Sequence, residues 1–316
     1  MQPLVSILIP CYNAAPWLAQ TLESALAQTW PRTEIIVVND GSKDASGAIA
    51  RNFVRRGVTV IDQPNEGQSA AFNRALAAAR GDFLEFLDAD DLLAPDKIAQ
   101  QVTLASTLPP GRILSGAWGR FHDNPAAAEF RPDTLWSPSL DPVDWLIEAW
   151  TNGQMMHGAA WLIPAPIVRR AGGWNASLSV INDFEFFSRQ LLHGERVHFC
   201  AAARSYYRSG LPGSLSGRRS AAAWKSAFES LSQGTAGLLE REDSPRTRLA
   251  CARVFAAFYY DAYPAVPDLR NAARRRVAEL GDSLGTGPGG PKFQLLARCV
   301  GWRTARRLQI ALVRPR

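Results

Sequence analysis

The chain has 316 residues, of which 47% are hydrophobic and 20% are charged, and this balance is typical of a soluble globular protein with a sizeable core rather than of a disordered one. Residues 216–316 hold 18 Lys and Arg against 8 Asp and Glu, so the basic charge lies in the last third and the rest of the chain is acidic. This asymmetry argues against a nucleic-acid-binding surface spread over the protein. It indicates that the basic end either faces something anionic or is simply solvated.

The cysteines and the start of the chain predict a cytoplasmic protein. Cys11, Cys200, Cys251 and Cys299 lie far apart and match no zinc-binding spacing, so we expect reduced thiols. The chain begins Met-Gln-Pro, without the basic and apolar segments of a signal peptide. The longest uncharged stretch, Ala149–Val168, contains too many polar residues and prolines for a membrane-spanning helix.

Between residues 5 and 90, short apolar runs alternate with segments of helical periodicity. Near-continuous apolar strands that alternate with helices predict a parallel sheet covered on both faces. The predicted strands are Val5–Pro10, Glu34–Asn39, Val58–Asp62 and Phe83–Leu87, and the predicted helices are Pro16–Gln28, Ser46–Arg56 and Gly67–Arg80.

Beyond residue 110 the pattern is less regular. We expect strands at Arg112–Phe121, His157–Ile163 and Val197–Arg208, and helices at Asp141–Trp150, at Asn182–His193 and through most of Ser220–Leu280. Residues 285–290 fit the letters of the dinucleotide-binding string G-x-G-x-x-G, but no strand precedes them, so they predict a linker. The chain therefore divides into an α/β domain (1–215), a helical region (216–280), a Gly/Pro-rich linker (281–292) and a basic amphipathic tail (293–316).

Polar residues follow each of the four predicted strands of the first 90 residues. Ligands collect at the carboxyl ends of the strands in such sheets. Asp88 and Asp90 end the fourth strand, and two carboxylates at the mouth of a buried strand cannot both be hidden without partners. Mg²⁺ and Mn²⁺ prefer oxygen ligands and take one or two carboxylates together with substrate phosphates. The alternative is an Asx-type turn that caps the helix after Pro95, but Asp40 at the end of the second strand favours a metal and nucleotide site.

Three stretches resemble the family 2 inverting glycosyltransferases of the GT-A fold, in their bacterial non-processive form. They are Val5–Asp44, Asn65–Asn73 and Gly81–Asp91, and a fainter match continues through Asp183 and Tyr207-Arg208. The resemblance implies the GT-A (nucleotide-diphospho-sugar transferase) fold, with a mostly parallel central sheet flanked by helices, to which a C-terminal helical region is added. It also implies transfer of a sugar from a nucleotide-diphosphate sugar, typically a UDP-sugar, to a hydroxyl acceptor in cell-surface polysaccharide or glycolipid synthesis.

The resemblance also implies roles for single residues. Pro10 and Tyr12 would line the nucleotide pocket, Asp40 would bind the nucleobase, Asp88 would face the ribose, and Asp90 would bind the Mn²⁺ or Mg²⁺ that bridges the donor phosphates. The remaining donor-binding positions are Asn65, Gly67, Asn73 and Ala89. Two departures from the family pattern are Phe72, where an arginine is often found, and the absence of a histidine after Tyr207-Arg208. Asp90 is therefore expected to be the main protein ligand of the metal.

The segment around residue 180 carries the candidate base. Asn182 and Glu185 have capping-box spacing at the start of a helix, which puts Asp183 in the first turn. The resemblance implies that Asp183 is the catalytic base, and Glu185 is the second candidate. Trp174 and Asn182 are candidate acceptor contacts, because indole faces stack on sugar rings, whereas core packing is expected for Trp145, Trp150 and Trp161.

Two other functions remain as alternatives. A sugar-nucleotide pyrophosphorylase is expected to carry a glycine-rich, basic phosphate loop near its N-terminus, and the stretch after the first strand has none. A non-catalytic carbohydrate-binding protein does not need Asp40, Asp90 and Asp183 together. The expected partners are a nucleotide-sugar donor and a carbohydrate or lipid-linked acceptor, with no nucleic acid. The tail from Phe293 either rests on the anionic inner face of a membrane or packs against the enzyme.

Overall fold

The computed structural model describes residues 2–211, 213–284 and 291–313. The glycine-rich string at 285–290 and the last three residues of the tail lie outside the described residues. In chain order the strands and α-helices are β1 (Val5–Cys11), α1 (Leu18–Leu26), β2 (Thr33–Asp40), α2 (Ser46–Asn52), β3 (Val58–Gln63), α3 (Gln68–Ala78), β4 (Phe83–Phe86), β5 (Leu92–Leu93), α4 (Lys97–Ser106), β6 (Arg112–Phe121), β7 (Glu129–Phe130), α5 (Pro142–Asn152), β8 (Ile163–Pro164), α6 (Ala165–Ala171), α7 (Asn182–His193), β9 (Arg196–Arg208), α8 (Ala221–Arg241), α9 (Pro245–Asp261), α10 (Pro267–Glu279), α11 (Pro291–Val300) and α12 (Trp302–Val313).

The first sheet has the strand order β3-β2-β1-β4-β8, in which the first four strands are parallel and β8 is antiparallel to β4. Successive side chains of a strand point to opposite faces. Leu8 and Val38 accordingly belong to the hydrophobic cluster that includes α3, whereas Ile7, Ile9 and Val37 belong to the cluster that includes α1 and α2. Helices cover both faces, so the predicted α/β architecture with a mostly parallel sheet is confirmed.

The second sheet has the order β5-β9-β6-β7, with β6 and β9 parallel. Its edge strand β5 begins directly after the acidic turn Asp88–Asp91 and pairs antiparallel with β9. The acidic turn therefore joins the two sheets, and its position depends on both of them.

A fully buried ion pair fixes β4 against α4. Glu85 of β4 pairs with Lys97, whose Nζ also donates to the carbonyl oxygen of Trp161 at 3.0 Å. The Oε1 atom of Glu85 has no hydrogen-bond partner, and desolvation raises the pKa of this carboxyl to about 7. Removal of one partner would leave an unpaired buried charge, which is strongly unfavourable. The pair therefore holds β4, the strand that leads into the acidic turn, against α4.

The C-terminal helices pack on the α/β domain. Helices α8 and α9 share one hydrophobic cluster with α5 and α7. In α12, Trp302 contacts the rings of Tyr259, Tyr260 and Tyr263, and Ala305 is buried, so this helix is docked on α9 and the turn that follows it. Among the described helices, none combines the length and the apolar character needed to cross a bilayer.

Several expectations need correction and others hold. The predicted strand His157–Ile163 is wrong, because Gly158–Ala160 form a 3₁₀ turn and the strand β8 is confined to Ile163–Pro164. Helix α6 was not expected from the sequence. Trp145, Trp150 and Trp161 are buried, as core packing predicts, and the four cysteines are free.

Candidate active site

The loops after β1 and β2 are joined by short polar side chains. The N–H of Asn13 donates to Ser42 Oγ at 3.0 Å, and Asn13 Oδ1 accepts from the N–H of Lys43 at 2.8 Å. Asn13 has a left-handed backbone, with a φ of 50°, which asparagine tolerates better than most residues. Pro10 lies in the buried strand β1, whereas the neighbouring Tyr12 is 43% exposed. Tyr12 is therefore free to contact a ligand at this edge of the sheet.

Asp40 ends β2, and its carboxylate organises the loop after β3. One oxygen accepts from Gln63 Nε2 at 2.8 Å and from the N–H of Glu66 at 2.9 Å. The other accepts from Asn65 Nδ2 at 3.2 Å and from the N–H of Gly67 at 2.9 Å. Only 2% of Asp40 is exposed, and an ionised carboxylate has about four acceptor positions. The three predicted donor-binding residues of this region, Asp40, Asn65 and Gly67, thus form one hydrogen-bonded unit with Gln63 and Glu66, and the left-handed backbone at Gly67 (φ 92°) directs its N–H at Asp40.

Asp88 and Asp90 follow β4 and lie at the same edge of the sheet as Asp40. Asp88 Oδ1 accepts from Gln68 Nε2 at 2.8 Å, and among the described residues no side chain donates to the Asp90 carboxylate. Burial, reinforced by repulsion from the neighbouring carboxylates, raises the pKa of both groups. Ala89 between them is buried, and its carbonyl oxygen accepts from Thr21 Oγ1 at 2.9 Å. The turn thus concentrates negative charge that a cation would neutralise.

Asp91, His157 and Arg208 hold this turn in place, and sequence reasoning assigned no role to Asp91 or His157. The Asp91 carboxylate is fully buried and accepts from His157 Nε2 and from the N–H of Arg208, both at 2.7 Å. Burial lowers the pKa of His157 to about 4, so its imidazole is neutral, and the tautomer with the proton on Nε2 donates to Asp91. Arg208 Nε also donates to the carbonyl oxygen of Asp90 at 2.8 Å. No local signal could reveal His157, because its partner lies 66 residues away.

A chain of side-chain amides connects Asp88 with the start of α7. Gln68, which donates to Asp88, accepts from Asn182 Nδ2 at 3.2 Å, and the same Asn182 nitrogen lies 2.9 Å from Ser69 Oγ. Asp183 follows directly, is open to solvent, and carries a charge that contributes to the raised pKa of Asp88. The surrounding protein in turn raises the pKa of Asp183. The structure therefore brings Asp183 and the Asp88–Asp90 turn to one site.

The predicted capping box at this helix is wrong. The residue before the helix is Ile181, and no side chain caps it, because the Asn182 amide is turned toward Gln68 and Ser69. Glu185 instead forms an ion pair with Arg189 and is only 6% exposed. Glu185 is therefore a poor candidate for the base.

Trp174 is not an acceptor platform. It is 6% exposed, with its ring stacked on Phe186 at a centroid distance of 3.9 Å and on Phe72 at 4.6 Å. Phe72 packs in this core, so its side chain does not face the candidate site. Asn73, predicted to bind the donor, uses its amide to bind both backbone groups of Trp174 at 2.8 Å. A Cβ at Gly173 would come within 2.4 Å of Asn73 Oδ1, so the close approach requires glycine.

No group of three or more His, Cys, Asp and Glu side chains is arranged to hold a metal within the described part of the chain. The observed set is an acidic turn whose backbone carbonyl groups are bound by Thr21 and Arg208, at the carboxyl edge of a parallel sheet. Residues 6–161 match the family model described as glycosyl transferase family 2. The chain belongs to this family.

The relatives of this family 2 chain extend the comparison. An uncharacterized glycosyltransferase of Rickettsia typhi is 30% identical over 214 residues, which are 62% of this chain and 64% of the relative. The chain thus aligns with less than two thirds of that relative's length. The structure of Staphylococcus aureus TarS in complex with UDP covers 99% of this chain and 93% of its own, with a TM-score of 0.66 at 14% identity. A mannosyltransferase from Pyrobaculum calidifontis in complex with GDP-Man and Mn²⁺ covers 98% and 86%, with a TM-score of 0.57 at 20% identity. At these identities the two structures support the GT-A fold alone.

Proposed function

We propose that the protein is an inverting glycosyltransferase that moves a sugar from a nucleotide-diphosphate sugar, preferably a UDP-sugar, to an acceptor hydroxyl. The observation that carries the proposal is the Asp88–Gln68–Asn182 chain of hydrogen bonds, which connects the proposed site for donor phosphates with the residue next to the solvent-exposed Asp183. The UDP bound by TarS is consistent with the choice of uridine.

The proposed reaction needs a base for the acceptor. An acceptor hydroxyl has a pKa far above neutrality, so it must lose its proton as it attacks, and a carboxylate within hydrogen-bond reach can accept that proton. Asp183 fits this role, because it is open to solvent and its raised pKa makes it a stronger base than an ordinary aspartate. Attack at the anomeric carbon from the face opposite the phosphate inverts its configuration in one displacement. Asn182, fixed by Gln68 and Ser69, holds the base at the acidic turn.

The residues of the acidic turn fit a divalent cation. Asp90 offers a carboxylate to which no described side chain donates, and Asp88 lies two residues away, so these oxygens would hold Mn²⁺ or Mg²⁺ with the donor phosphates completing the coordination. When bound, the cation would neutralise the charge that develops on the departing nucleoside diphosphate. Arg208 and His157 keep the turn in position through the Asp90 carbonyl and the Asp91 carboxylate.

The alternatives explain less of the site. A carbohydrate-binding protein would use exposed aromatic side chains, but Trp174 is buried between two rings. A pyrophosphorylase needs a basic phosphate loop after β1, and that loop instead carries Asn13, bonded to Ser42 and Lys43.

Release of UDP from UDP-sugars with Mn²⁺ tests the proposal. We expect Asp90→Asn to abolish the metal-dependent release, and Asp183→Asn to bind UDP as the wild type does but to lose transfer by at least 100-fold. Asp144→Asn is the matched control, because Asp144 also lies in the first turn of a helix but pairs with Arg246 at the surface. Unchanged turnover in Asp183→Asn would remove the base assignment. Nucleotide binding without turnover across an acceptor screen would favour a binding protein.

We further propose that the basic tail contacts an anionic membrane, where a lipid-linked acceptor for polysaccharide or glycolipid synthesis would be found, at the cytoplasmic face. Residues 291–316 contain no acidic residue. Leu295, Leu296 and Val300 of α11 are exposed by 66%, 37% and 45%, although Trp302 and Ala305 pack inward. Exposed apolar residues among cations are typical of interfacial helices.

Vesicle sedimentation with the full-length protein tests this contact. Leu295→Glu should reduce binding to anionic vesicles severalfold, whereas Val54→Glu, at an apolar residue of the α/β domain that is 50% exposed, should not. Equal binding of the two variants would contradict the proposal.

A further inference from the structure

Arg120 is a cation near the candidate active site, and no acidic side chain in the described part of the chain pairs with it. Its guanidinium carbon lies 5.3 Å from the ring centroid of Trp118 and 4.9 Å from that of Tyr207, and its Nη2 lies 3.5 Å from Met155 Sδ. Among the described residues it forms no ion pair, and the side chain is exposed. Three contacts therefore fix the guanidinium, and apart from the Nη2 contact with Met155 no described residue accepts from its N–H groups.

The register of the second sheet places Arg120 on the side that carries the acidic turn. Arg120 of β6 is paired with Tyr207 of β9, and Trp118 with Ser205, so these side chains share one face. On that face His157 contacts Ser205 and the ring of Tyr207, and it donates to Asp91. After burial, nearby positive charges that include Arg120 help to lower the pKa of His157. Arg120 is thus one layer of side chains away from the buried acid of the turn.

The strand order decides which substrate can reach Arg120. The loops of β1, β2 and β3 carry Tyr12, Asp40 and Asn65, the proposed nucleotide side, and β4 with the acidic turn lies between them and the second sheet. If the donor phosphates bind at Asp90, Arg120 lies on the opposite side of the acidic turn from the nucleotide. A group that contacts Arg120 therefore arrives with the acceptor.

Resting on the proposed function, we propose that Arg120 binds a phosphate group of the acceptor and so selects phosphate-bearing acceptors. A guanidinium presents paired N–H donors that match a phosphate bidentately, and stacking on aromatic rings keeps it planar and oriented. An anionic acceptor would otherwise be repelled by the acidic turn, and Arg120 supplies the opposing charge. A neutral sugar hydroxyl can accept one hydrogen bond from the guanidinium, but it supplies neither an opposite charge nor a second acceptor oxygen.

The test measures methyl phosphate binding to the full-length protein already loaded with UDP and Mg²⁺, by ³¹P NMR titration. In Arg120→Gln the methyl phosphate Kd should rise at least fivefold while UDP affinity stays within twofold, and Arg120→Lys should lose less. Arg204→Gln is the matched control, because Arg204 is also exposed and stacked on one ring, Phe130, at 5.6 Å in the same sheet. It should bind methyl phosphate as the wild type does.

Three results would overturn the inference: equal methyl phosphate binding in Arg120→Gln, no methyl phosphate binding to UDP-loaded wild type, or a loss of UDP affinity in Arg120→Gln, which would make Arg120 a donor contact. Failure of the wild type to bind UDP at all would instead count against the proposed function, so the two failures are distinguishable.

Discussion

Replacing Asp40 with asparagine separates two roles for this residue. The family resemblance implies that Asp40 contacts the nucleobase, whereas its carboxylate in the structure accepts hydrogen bonds from four donors of the loop after β3. We expect Asp40→Asn to damage that loop first and to weaken nucleotide binding as a consequence.

The size of the effect follows from the pairing. Each carboxylate oxygen of Asp40 serves one side chain and one backbone N–H, from Glu66 on one side and from Gly67 on the other. An asparagine can keep one oxygen, so two of the four donors face an NH₂ group instead, whichever way the amide turns. Hydrogen bonds to charged groups contribute about 1.5–3 kcal/mol each to stability. Because the loop is partly exposed, each lost bond is taken at the lower end of that range, so the loss of two bonds lowers the free energy of unfolding by about 3 kcal/mol.

Thermal denaturation and amide hydrogen exchange measure the two consequences. Asp40→Asn should lower Tm by several degrees, and the N–H of either Glu66 or Gly67 should exchange faster. Asp62→Asn serves as the control, because Asp62 on the adjacent strand accepts from Asn39 at 2.7 Å but its side chain is 58% exposed. A variant of Asp40 that loses UDP affinity with unchanged Tm and unchanged exchange would refute this reasoning and favour direct contact with the base.

Three further predictions concern the site and its support. The pKa of Asp183 is raised, and only its ionised form can accept a proton. The value of kcat/KM should therefore fall as the pH drops, with a midpoint above the ordinary aspartate pKa of about 3.9. A pH profile with a midpoint at or below that value would contradict this prediction. Arg208→Met removes the bond to the Asp90 carbonyl and should lower metal-dependent turnover at least tenfold, as measured by nucleotide release over a Mn²⁺ titration. Lys97→Met strands the buried Glu85 and should cost about 3–5 kcal/mol, which the double variant with Glu85→Gln should largely restore in thermal denaturation.

The bounds of two elements in the less regular part of the chain could be predicted from the sequence. β6 (Arg112–Phe121) and α7 (Asn182–His193) agree with the expectation, because a glycine borders each of them, Gly111 before β6 and Gly194 after α7. The stretch His157–Ile163 was wrongly predicted to be a strand, because its apolar residues are buried without being paired in a sheet over most of its length. Trp161 and Leu162 are buried in a connection between elements, and burial without strand pairing leaves the same pattern in the sequence.

The contacts that hold the site could not be predicted, because they are polar and join distant parts of the chain. Asn182 has the sequence signature of a helix cap, but the structure gives its amide closer partners in Gln68 and Ser69, more than 100 residues away. Trp174 likewise has the chemistry of a sugar platform, and only the positions of Phe72 and Phe186 show that both of its faces are covered. Residue type sets what a side chain can do, and tertiary neighbours decide which of those options is used.

The acids of the site show how the structure sorts residues that are equivalent in the sequence. Asp40 accepts four hydrogen bonds from protein donors, and the fully buried Asp91 accepts one on each oxygen, so both carboxylates stabilise loops. Within the described residues, no side chain donates to Asp90 or Asp183, and the pKa of each carboxyl is raised, so these two groups gain most from a cation or a proton. The bonds of Asp91 to His157 and Arg208 fix the turn that presents Asp90, and the bonds of Asn182 to Gln68 and Ser69 fix the start of the helix that carries Asp183. We therefore expect the reaction to use Asp90 and Asp183, whose hydrogen bonding is incomplete. The loops held by Asp40 and Asp91 are rigid, and this rigidity keeps the site in its incompletely bonded arrangement.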